Sequence, residues 1–382
     1  MKYFCLPKLQ ISTIYSHQNI TICLKLGLLT QQNMNTQVCN YMSIEKSRTE
    51  IKIMKRAIFT TVQYNEEALK MLEMTLKSFY LFNSNFDFKV YCLDNSKEQF
   101  EKYFNEFKFK NLEFINFKDG TKWNSFLERV KRNDLTDLER VNLFKNEDEF
   151  YVFDTSVCIS KLEIADLLLE KYDIVIMSDI DLVYIDSIED CIKAFLESDK
   201  FIAGTREYIG DCKFYVNTGF VIFNSSKYSN NIFDSSIEVL NTNRIKEIYK
   251  RQIMYFEQDL LSLITDSKFE IKEIICPIID KDTRKLDKKF FLIHFAGKEF
   301  KPWIDKICRE GFEKSIHVHS LAEYKEFYKK VADLFKVDID VKIIRLPVNY
   351  KTMIYKKLMH IFLEKVYSEI SQYNSSCSFV AK

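Results

Sequence analysis

At 382 residues with 47% hydrophobic content, the chain can bury a substantial core, as one large α/β domain with appendages or as two domains. A formal net charge of +1 gives no global argument for nucleic acid, since any basic surface must be local, and no nucleic-acid partner is expected. The ten cysteines form no Cys-x-x-Cys pair and no regular spacing, which argues against a zinc ribbon or a disulfide framework and suits reduced thiols in a cytosol.

Residues 1–53 are polar and weakly patterned, with a Gln-Gln-Asn-Met-Asn run at 31–35, and read as an N-terminal extension with no legible fold. The start lacks a sustained hydrophobic region and a small-residue cleavage site, and no stretch nears the roughly 18 apolar residues of a membrane span. The expected localisation is therefore cytoplasmic. From residue 54 the pattern changes. Ala57–Val62 reads as a strand, and Asn65 and Glu66 begin a helix whose Leu69, Leu72, Leu76 and Phe79 share one face. A strand over Phe88–Leu93, a helix over Glu98–Phe107 and a strand over Leu112–Phe117 follow. This alternation predicts βαβ units around a mostly parallel sheet flanked by helices. Neither Gly-x-Gly-x-x-Gly nor a Walker A sequence accompanies it, so phosphates must be held another way.

Residues 118–150 are charged and partly helical, and Ser160 is the expected N-cap of a helix through Leu169. That helix leads into Asp173-Ile-Val-Ile-Met-Ser-Asp-Ile-Asp181, a short β-branched run that predicts a buried strand. Residues i and i+2 of a strand point the same way, so Asp179 and Asp181 aim two carboxylates at one point past its C-terminal edge. Open α/β sheets bind ligands at that edge, and paired hard oxygens suit Mg²⁺ or Mn²⁺ carrying a diphosphate. Taken alone, Asp-x-Asp is also a turn capping a strand.

Further along, Ser187 is expected to cap a helix carrying Ile192, Phe195 and Leu196, and Phe201–Ala203 and Val216–Phe223 read as strands. Gly204, Gly210 and Gly219 cluster here in a chain with only 7 glycines, which points to backbone approaching something closely. Asn217 and Gly219 open the second of these strands, placing an amide where sugar hydroxyls can bind. A helix over Phe256–Ile264 starts with Glu257-Gln258-Asp259, favoured there by the helix N-terminus. Ile271–Ile275 and Phe291–Phe295 are the last sheet-like segments. The second leads into His294-Phe-Ala-Gly-Lys-Glu-Phe-Lys-Pro-Trp303, in which His294 can complete a metal site begun by two carboxylates. Gly297 permits close backbone approach to a phosphate, and Lys301 can set a point charge on it. His317 and His319, without a carboxylate cluster nearby, read as structural. Residues 321–335 are an expected amphipathic helix (Leu321, Tyr324, Tyr328, Val331, Phe335). The tail over Lys342–Tyr367 interleaves basic and apolar residues, a pattern suited either to packing on the domain or to peripheral contact with the inner face of an anionic membrane. The expected organisation is an extension (1–53), one α/β domain (54–310) and a helical, partly basic C-terminal extension (311–382).

In this order, the strand with Asp179-x-Asp181, Asn217-x-Gly219, Glu257-Gln-Asp259 and His294-x-x-Gly297 with Lys301-Pro-Trp303 resemble the motifs of the family-8 glycosyltransferases over residues 56–305. That group includes glycogenin and bacterial lipopolysaccharide galactosyl- and glucosyltransferases. The resemblance implies a GT-A fold, a UDP-sugar donor, Mn²⁺ (or Mg²⁺) and transfer with retention, to an acceptor such as a glycan or a glycolipid. Residue by residue, Asp179, Asp181 and His294 match the metal ligands, with Asp179 also near the ribose. Gly297 and Lys301 match the diphosphate binders, and Thr61 and Tyr64 are similar to residues that hold the uridine. Lys161 matches a helix lysine or arginine near the donor, and Asn217 and Gln258 match sugar-side residues. Three departures stand out. Glu257 replaces the usual Asp, Ser262 replaces a common Asn, and the loop between Gly297 and Lys301 is one residue longer than in glycogenin, which makes Lys298 a rival for the phosphate role. An inverting GT-A transferase and an inactive nucleotide-sugar-binding protein are the alternatives to a retaining enzyme.

Overall fold

The computed structural model describes residues 54–117, 121–146, 149–150, 156–207, 210–228, 231–248, 256–276, 289–296, 328–329 and 331–338. The expectations for residues 1–53, Gly297–Trp303, His317, His319 and the tail after Lys342 lie outside the described residues.

Strand β1 (Arg56–Val62) is buried along almost its whole length, as a central parallel strand should be. Helix α1 (Glu66–Phe82) follows, capped by Asn65, whose side chain accepts from the Ala68 amide at 2.7 Å, with Glu66 and Glu67 in its first turn. Then come β2 (Asp87–Cys92), α2 (Lys97–Phe104), β3 (Leu112–Asn116), α3 (Thr121–Lys131) and α4 (Asp137–Leu143). A short hairpin of β4 (Phe144–Asn146) and β5 (Glu149–Phe150) precedes α5 (Ser156–Leu169), β6 (Ile174–Ser178), β7 (Leu182–Tyr184) and α6 (Glu189–Leu196). The chain continues through β8 (Ile202–Glu207), β9 (Tyr215–Asn224), α7 (Ile232–Val239), α8 (Phe256–Leu263), β10 (Lys268–Glu270), β11 (Ile274–Ile275) and β12 (Leu292–His294).

Among the described residues, seven strands form one sheet in the order β10-β8-β9-β6-β1-β2-β3. All its pairings are parallel except the two made by β9, which runs antiparallel to both β6 and β8. A second sheet has the order β11-β12-β7. The expected mostly parallel sheet flanked by helices is the observed architecture.

The core lies on both faces of the large sheet, and the period of two along β6 assigns its residues. Ile174 and Ile176 pack with Leu72, Leu76 and Phe79 of α1, whereas Val175 and Met177 pack with Ile159, Leu162 and Ala165 of α5. Asp179 continues the second series, toward α5.

Four boundaries differ from expectation. Helix α5 starts at Ser156, so Ser160 is interior rather than its N-cap; Ile159 is buried beside Leu162 and carries the apolar face back past it. Ser187 still accepts from the Glu189 amide at 3.3 Å, but α6 begins at Glu189 and Ile188 is its cap residue. Of the expected strand over Ile271–Ile275 only Ile274–Ile275 is strand, in the small sheet; the preceding β10 belongs to the large one, and the chain leaves it at Ile271, whose amide donates to the Gly204 carbonyl at 3.0 Å. Strand β7 has only three residues, too few to leave a periodic signal. Of the expected amphipathic helix over 321–335, Tyr328, Val331 and Phe335 are buried, while Leu321 and Tyr324 lie outside the described residues.

Candidate active site

Strand β6 stops in the large sheet at Ser178, and β7 starts in the small one at Leu182; Asp179 and Asp181 lie on this crossing. Backbone bonds hold it from three sides. The Asp179 amide donates to the Gly219 carbonyl at 2.8 Å, extending the β6–β9 ladder by one step. The Phe295 amide donates to the Asp181 carbonyl at 2.9 Å, extending the β7–β12 pairing in which Leu182 opposes His294. From α1, the fully buried Thr75 hydroxyl reaches the carbonyls of Ile180 (2.6 Å) and Leu182 (2.8 Å), sharing its one proton between them.

Pairing of β12 with β7 brings His294 to the carboxylates. Its Nε2 lies 3.4 Å from Asp181 Oδ1 and 3.8 Å from Asp179 Oδ2, and one ligand atom from each of the three residues lies within 4.8 Å of the others. His294 is only 5% exposed. The imidazole fits because residue 219 is glycine: a Cβ there would sit 2.2 Å from His294 Cε1. Of the glycine cluster, Gly219 is thus the member that approaches His294, whereas Gly204 makes room for the Val216 side chain. Two carboxylates and an imidazole at this spacing suit a divalent cation that accepts mixed oxygen and nitrogen donors. Lys161, 5% exposed on α5, ion-pairs with Asp179 Oδ1, leaving Oδ2 toward His294. The lysine sequence reading placed one helix upstream is in contact with the first aspartate.

On the other side of β9, side chains do the holding. Thr218 donates its amide to Gln258 Oε1 at 3.1 Å, and its hydroxyl lies 3.2 Å from both Gln258 Oε1 and Glu257 Oε1. Gln258 Nε2 donates to the Tyr215 hydroxyl at 3.3 Å, and Tyr215 donates to Asp259 Oδ1 at 2.6 Å. Burial first, and the Asp259 charge second, push the Tyr215 phenol far above the usual tyrosine range, so it remains a donor. These bonds fix which end of the Gln258 amide is oxygen. Ser262, one of the departures from the family pattern, accepts from the Val216 amide at 2.8 Å and pins α8 to β9. Asn217 is bonded within the sheet: Oδ1 accepts from the Gly219 amide of its own strand at 2.9 Å, and Nδ2 donates to Glu207 Oε1 on β8 at 2.6 Å.

Strands β1 and β6 are parallel neighbours with Phe59 opposite Met177, so Thr61 and Tyr64 stand at the same sheet edge as Asp179. Thr61 is buried. Tyr64 is 43% exposed, its amide donating to Asp94 Oδ2 at 2.7 Å and its ring set edge-on to Phe100. Gly297, Lys298 and Lys301 are outside the described residues.

No protein-family model matches the chain, and no curated protein matches it significantly. Among solved structures it is similar to the galactosyltransferase LgtC in complex with donor and acceptor sugar analogs, at 16% identity over 76% of this chain and 97% of that one, TM-score 0.47. It is similar to the glycosyltransferase GlyE of Streptococcus pneumoniae TIGR4, at 17% identity over 73% of this chain and 64% of that one, TM-score 0.44. Mouse xyloside xylosyltransferase 1 is similar at 12% identity over 63% of this chain and 97% of that one, TM-score 0.44. Likenesses of this size assign no activity to this chain.

Sequence reading missed Thr75, Tyr215, Thr218, Glu207 and Asp259 as supports of the site. Tyr215 and Thr218 lie within the Tyr-Val-Asn-Thr-Gly stretch and Asp259 within the polar triplet on α8, so their neighbourhood carried a signal. Thr75 carried none, being a small polar residue in the middle of an apolar helix face.

Proposed function

We propose that the chain is a GT-A glycosyltransferase of family-8 type that moves a hexose, glucose or galactose, from a UDP-sugar to an acceptor hydroxyl with retention, using Mn²⁺ or Mg²⁺. The observation that carries this reading is the convergence of Asp179, Asp181 and His294 at the C-terminal edge of the sheet, flanked by Lys161 and, across β9, by Glu257 and Gln258. A divalent cation held by the three residues would supply Lewis-acid stabilisation of the charge that develops on the diphosphate leaving group.

The chain's own residues do the rest. Lys161 offsets one of the two carboxylate charges, so that a cation-loaded edge favours an anionic diphosphate. Thr61 and Tyr64 flank the uridine; Gly297 and Lys301, by resemblance, contact the diphosphate. The oriented Gln258 amide positions the hexose, and the Glu257 carboxylate, steadied by Thr218, faces the oxocarbenium-like carbon. A glutamine is a poor nucleophile, so retention proceeds by attack of the acceptor hydroxyl on the face the diphosphate leaves. Asn217 keeps the mouth of β9 in shape. The acceptor is a glycan or glycolipid, which the basic tail would meet at the inner face of a membrane; no helix among the described residues is long and apolar enough to cross one. We assign the transferase to residues 54–310 and a cytoplasmic location.

The test is UDP release from a panel of UDP-sugars with Mn²⁺ or chelator, for the wild type and Asp181→Ala, with the product anomer read by NMR. Metal-dependent turnover of one sugar, lost in the variant and giving the retained anomer, is expected. The inverted anomer would overturn retention, and failure to bind any UDP-sugar would overturn the nucleotide assignment.

A further inference from the structure

Strand β9 leaves its ladder with β8 where it meets α8. Gly204 of β8 pairs with Val221 and the next residue, Thr205, with Asn217, so Thr218, Gly219 and Phe220 bulge away from β8. Backbone donors freed from a ladder need other partners, and here side chains supply them. The Gly219 amide goes to Asn217 Oδ1 at 2.9 Å, and the Thr218 amide to Gln258 Oε1 at 3.1 Å. The Thr218 hydroxyl, 3.2 Å from that same oxygen and from Glu257 Oε1, brings the two side chains oxygen to oxygen.

An amide left to itself would not take this pose. Beside a carboxylate it gains by turning its NH₂ toward the negative charge. Two neighbours oppose that turn. One is the Thr218 amide, a donor that can meet only oxygen. The other is Tyr215, 1% exposed, whose hydroxyl accepts from the Gln258 NH₂ at 3.3 Å and donates to Asp259 Oδ1 at 2.6 Å. A phenol has one proton. Shared with a carboxylate, that proton stays on the phenol and points at the carboxylate, so Tyr215 faces Gln258 with lone pairs alone. Asp259, 3% exposed, thus sets the direction of the whole chain of bonds, from Thr218 through Gln258 and Tyr215 to its own carboxylate. Thr218, Tyr215 and Asp259 are buried and Gln258 only half-buried, so the chain reaches the open side at the amide.

We propose that Asp259 and Tyr215 are positioning residues that fix the polarity of the Gln258 amide, so that its oxygen, beside that of Glu257, faces the reacting hexose. The inference rests on the transferase reading. Two oxygens set side by side favour the positive charge that grows on the sugar carbon as the diphosphate leaves, and an NH₂ in place of either would oppose it. That charge is small in the bound donor and large in the transition state, so the amide's polarity governs kcat and leaves KM nearly alone.

UDP release from UDP-glucose and UDP-galactose with Mn²⁺ tests the inference on the wild type, Tyr215→Phe, Asp259→Asn, Gln258→Ala and Leu263→Ala. Tyr215→Phe keeps the ring and removes the hydroxyl, whereas Asp259→Asn keeps the shape and releases the phenol proton to point elsewhere. Each is expected to lower kcat roughly 10-fold, the weight of one hydrogen bond, with KM and the calorimetric affinity for the donor within about 2-fold. Leu263→Ala empties a fully buried position at the far end of α8; it should lower the melting temperature and spare kcat. Added to Gln258→Ala, Tyr215→Phe should cost no further turnover, because its effect runs through the amide. An undiminished kcat in Tyr215→Phe, or a further loss in the Gln258→Ala background, would overturn the role of Tyr215 and leave the transferase reading standing. Equal kcat losses in Tyr215→Phe and Leu263→Ala would reduce Tyr215 to packing. No turnover of either donor by the wild type would remove the hexosyl-transfer reading and this inference with it.

Discussion

Gly219 and Thr218 are neighbours, yet the two flanks of the site that meet at them are held by different kinds of bond. On the carboxylate edge, backbone groups fix the frame, through the Asp179 amide on Gly219, the Phe295 amide on Asp181 and the carbonyls of Ile180 and Leu182 on Thr75. On the α8 flank, side chains bond to side chains, from Thr218 through Gln258 and Tyr215 to Asp259. A backbone frame stays put when a side chain is changed, so substitutions at the edge remove chemistry with little movement. A side-chain network shifts as a unit, so its members are coupled.

The largest effect should come from breaking the edge at the one position where its backbone is crowded. Gly219→Ala puts a methyl into the His294 ring. It is expected to weaken Mn²⁺ beyond the roughly 10–100-fold of an outer-shell loss and to cost about 1–3 kcal/mol through overpacking, read by Mn²⁺ titration and thermal unfolding. Adding His294→Ala makes room for the methyl, so the double variant should recover stability but not affinity. An unaltered Mn²⁺ affinity in Gly219→Ala would show that the edge is not fixed as described.

A pH-dependent effect of intermediate size lies behind the α8 flank. Lys268, 7% exposed, donates to the carbonyls of Ser262 (2.8 Å), Phe214 (3.3 Å) and Thr265, and so ties the end of α8 to the start of β9. Burial pushes its ammonium down to about 8. An unfolded lysine titrates near 10.4, so between about pH 8 and 10.4 the unfolded chain binds more protons, and stability rises with pH by roughly 1 kcal/mol per unit. Urea unfolding at pH 7.5, 8.5 and 9.5 should show this rise in the wild type relative to Lys268→Met. Parallel curves would mean the lysine folds with its ordinary affinity for a proton.

The smallest effect sharpens the contrast itself. A double-mutant cycle of Thr218→Val and Tyr215→Phe, which meet only through Gln258, should show a coupling of about 0.5–1 kcal/mol in unfolding free energy. Additivity would argue that the flank is not one network.

What the sequence discloses follows the same division. The alternation of strands and helices, β6 and β9 were legible because buried strands leave β-branched and aromatic runs bounded by polar turn residues. The convergence of Asp179 and Asp181 needed only the period of two. His294 was legible as a donor, but its distance from the carboxylates depends on β7 and β12, two strands of three residues that pair although α6 through β11 lie between them in the chain, and that have no local signature. The bonds among Thr218, Gln258, Tyr215 and Asp259 likewise belong to how α8 packs on β9. Asn217 shows the limit from the other side: its residue type suggested a hydroxyl-binding amide, while its neighbours Gly219 and Glu207 engage both ends of that amide.

The crossing at Asp179–Asp181 also bears on how the protein folds. Asp179 belongs to the edge of the large sheet, whose β1, β2, β3 and β6 pair in parallel, while His294 belongs to the small sheet, which closes only when a strand late in the chain returns to β7. Long-range pairings of this kind carry the entropy of closing a large loop and form late. A ligand spanning Asp179 and His294 therefore fastens together two sheets that ripen at different times. It binds the finished fold and not its precursors, so at a hundred times its dissociation constant it would add about 2.7 kcal/mol to the native state, at the point where β12 joins the small sheet to the Asp-x-Asp crossing.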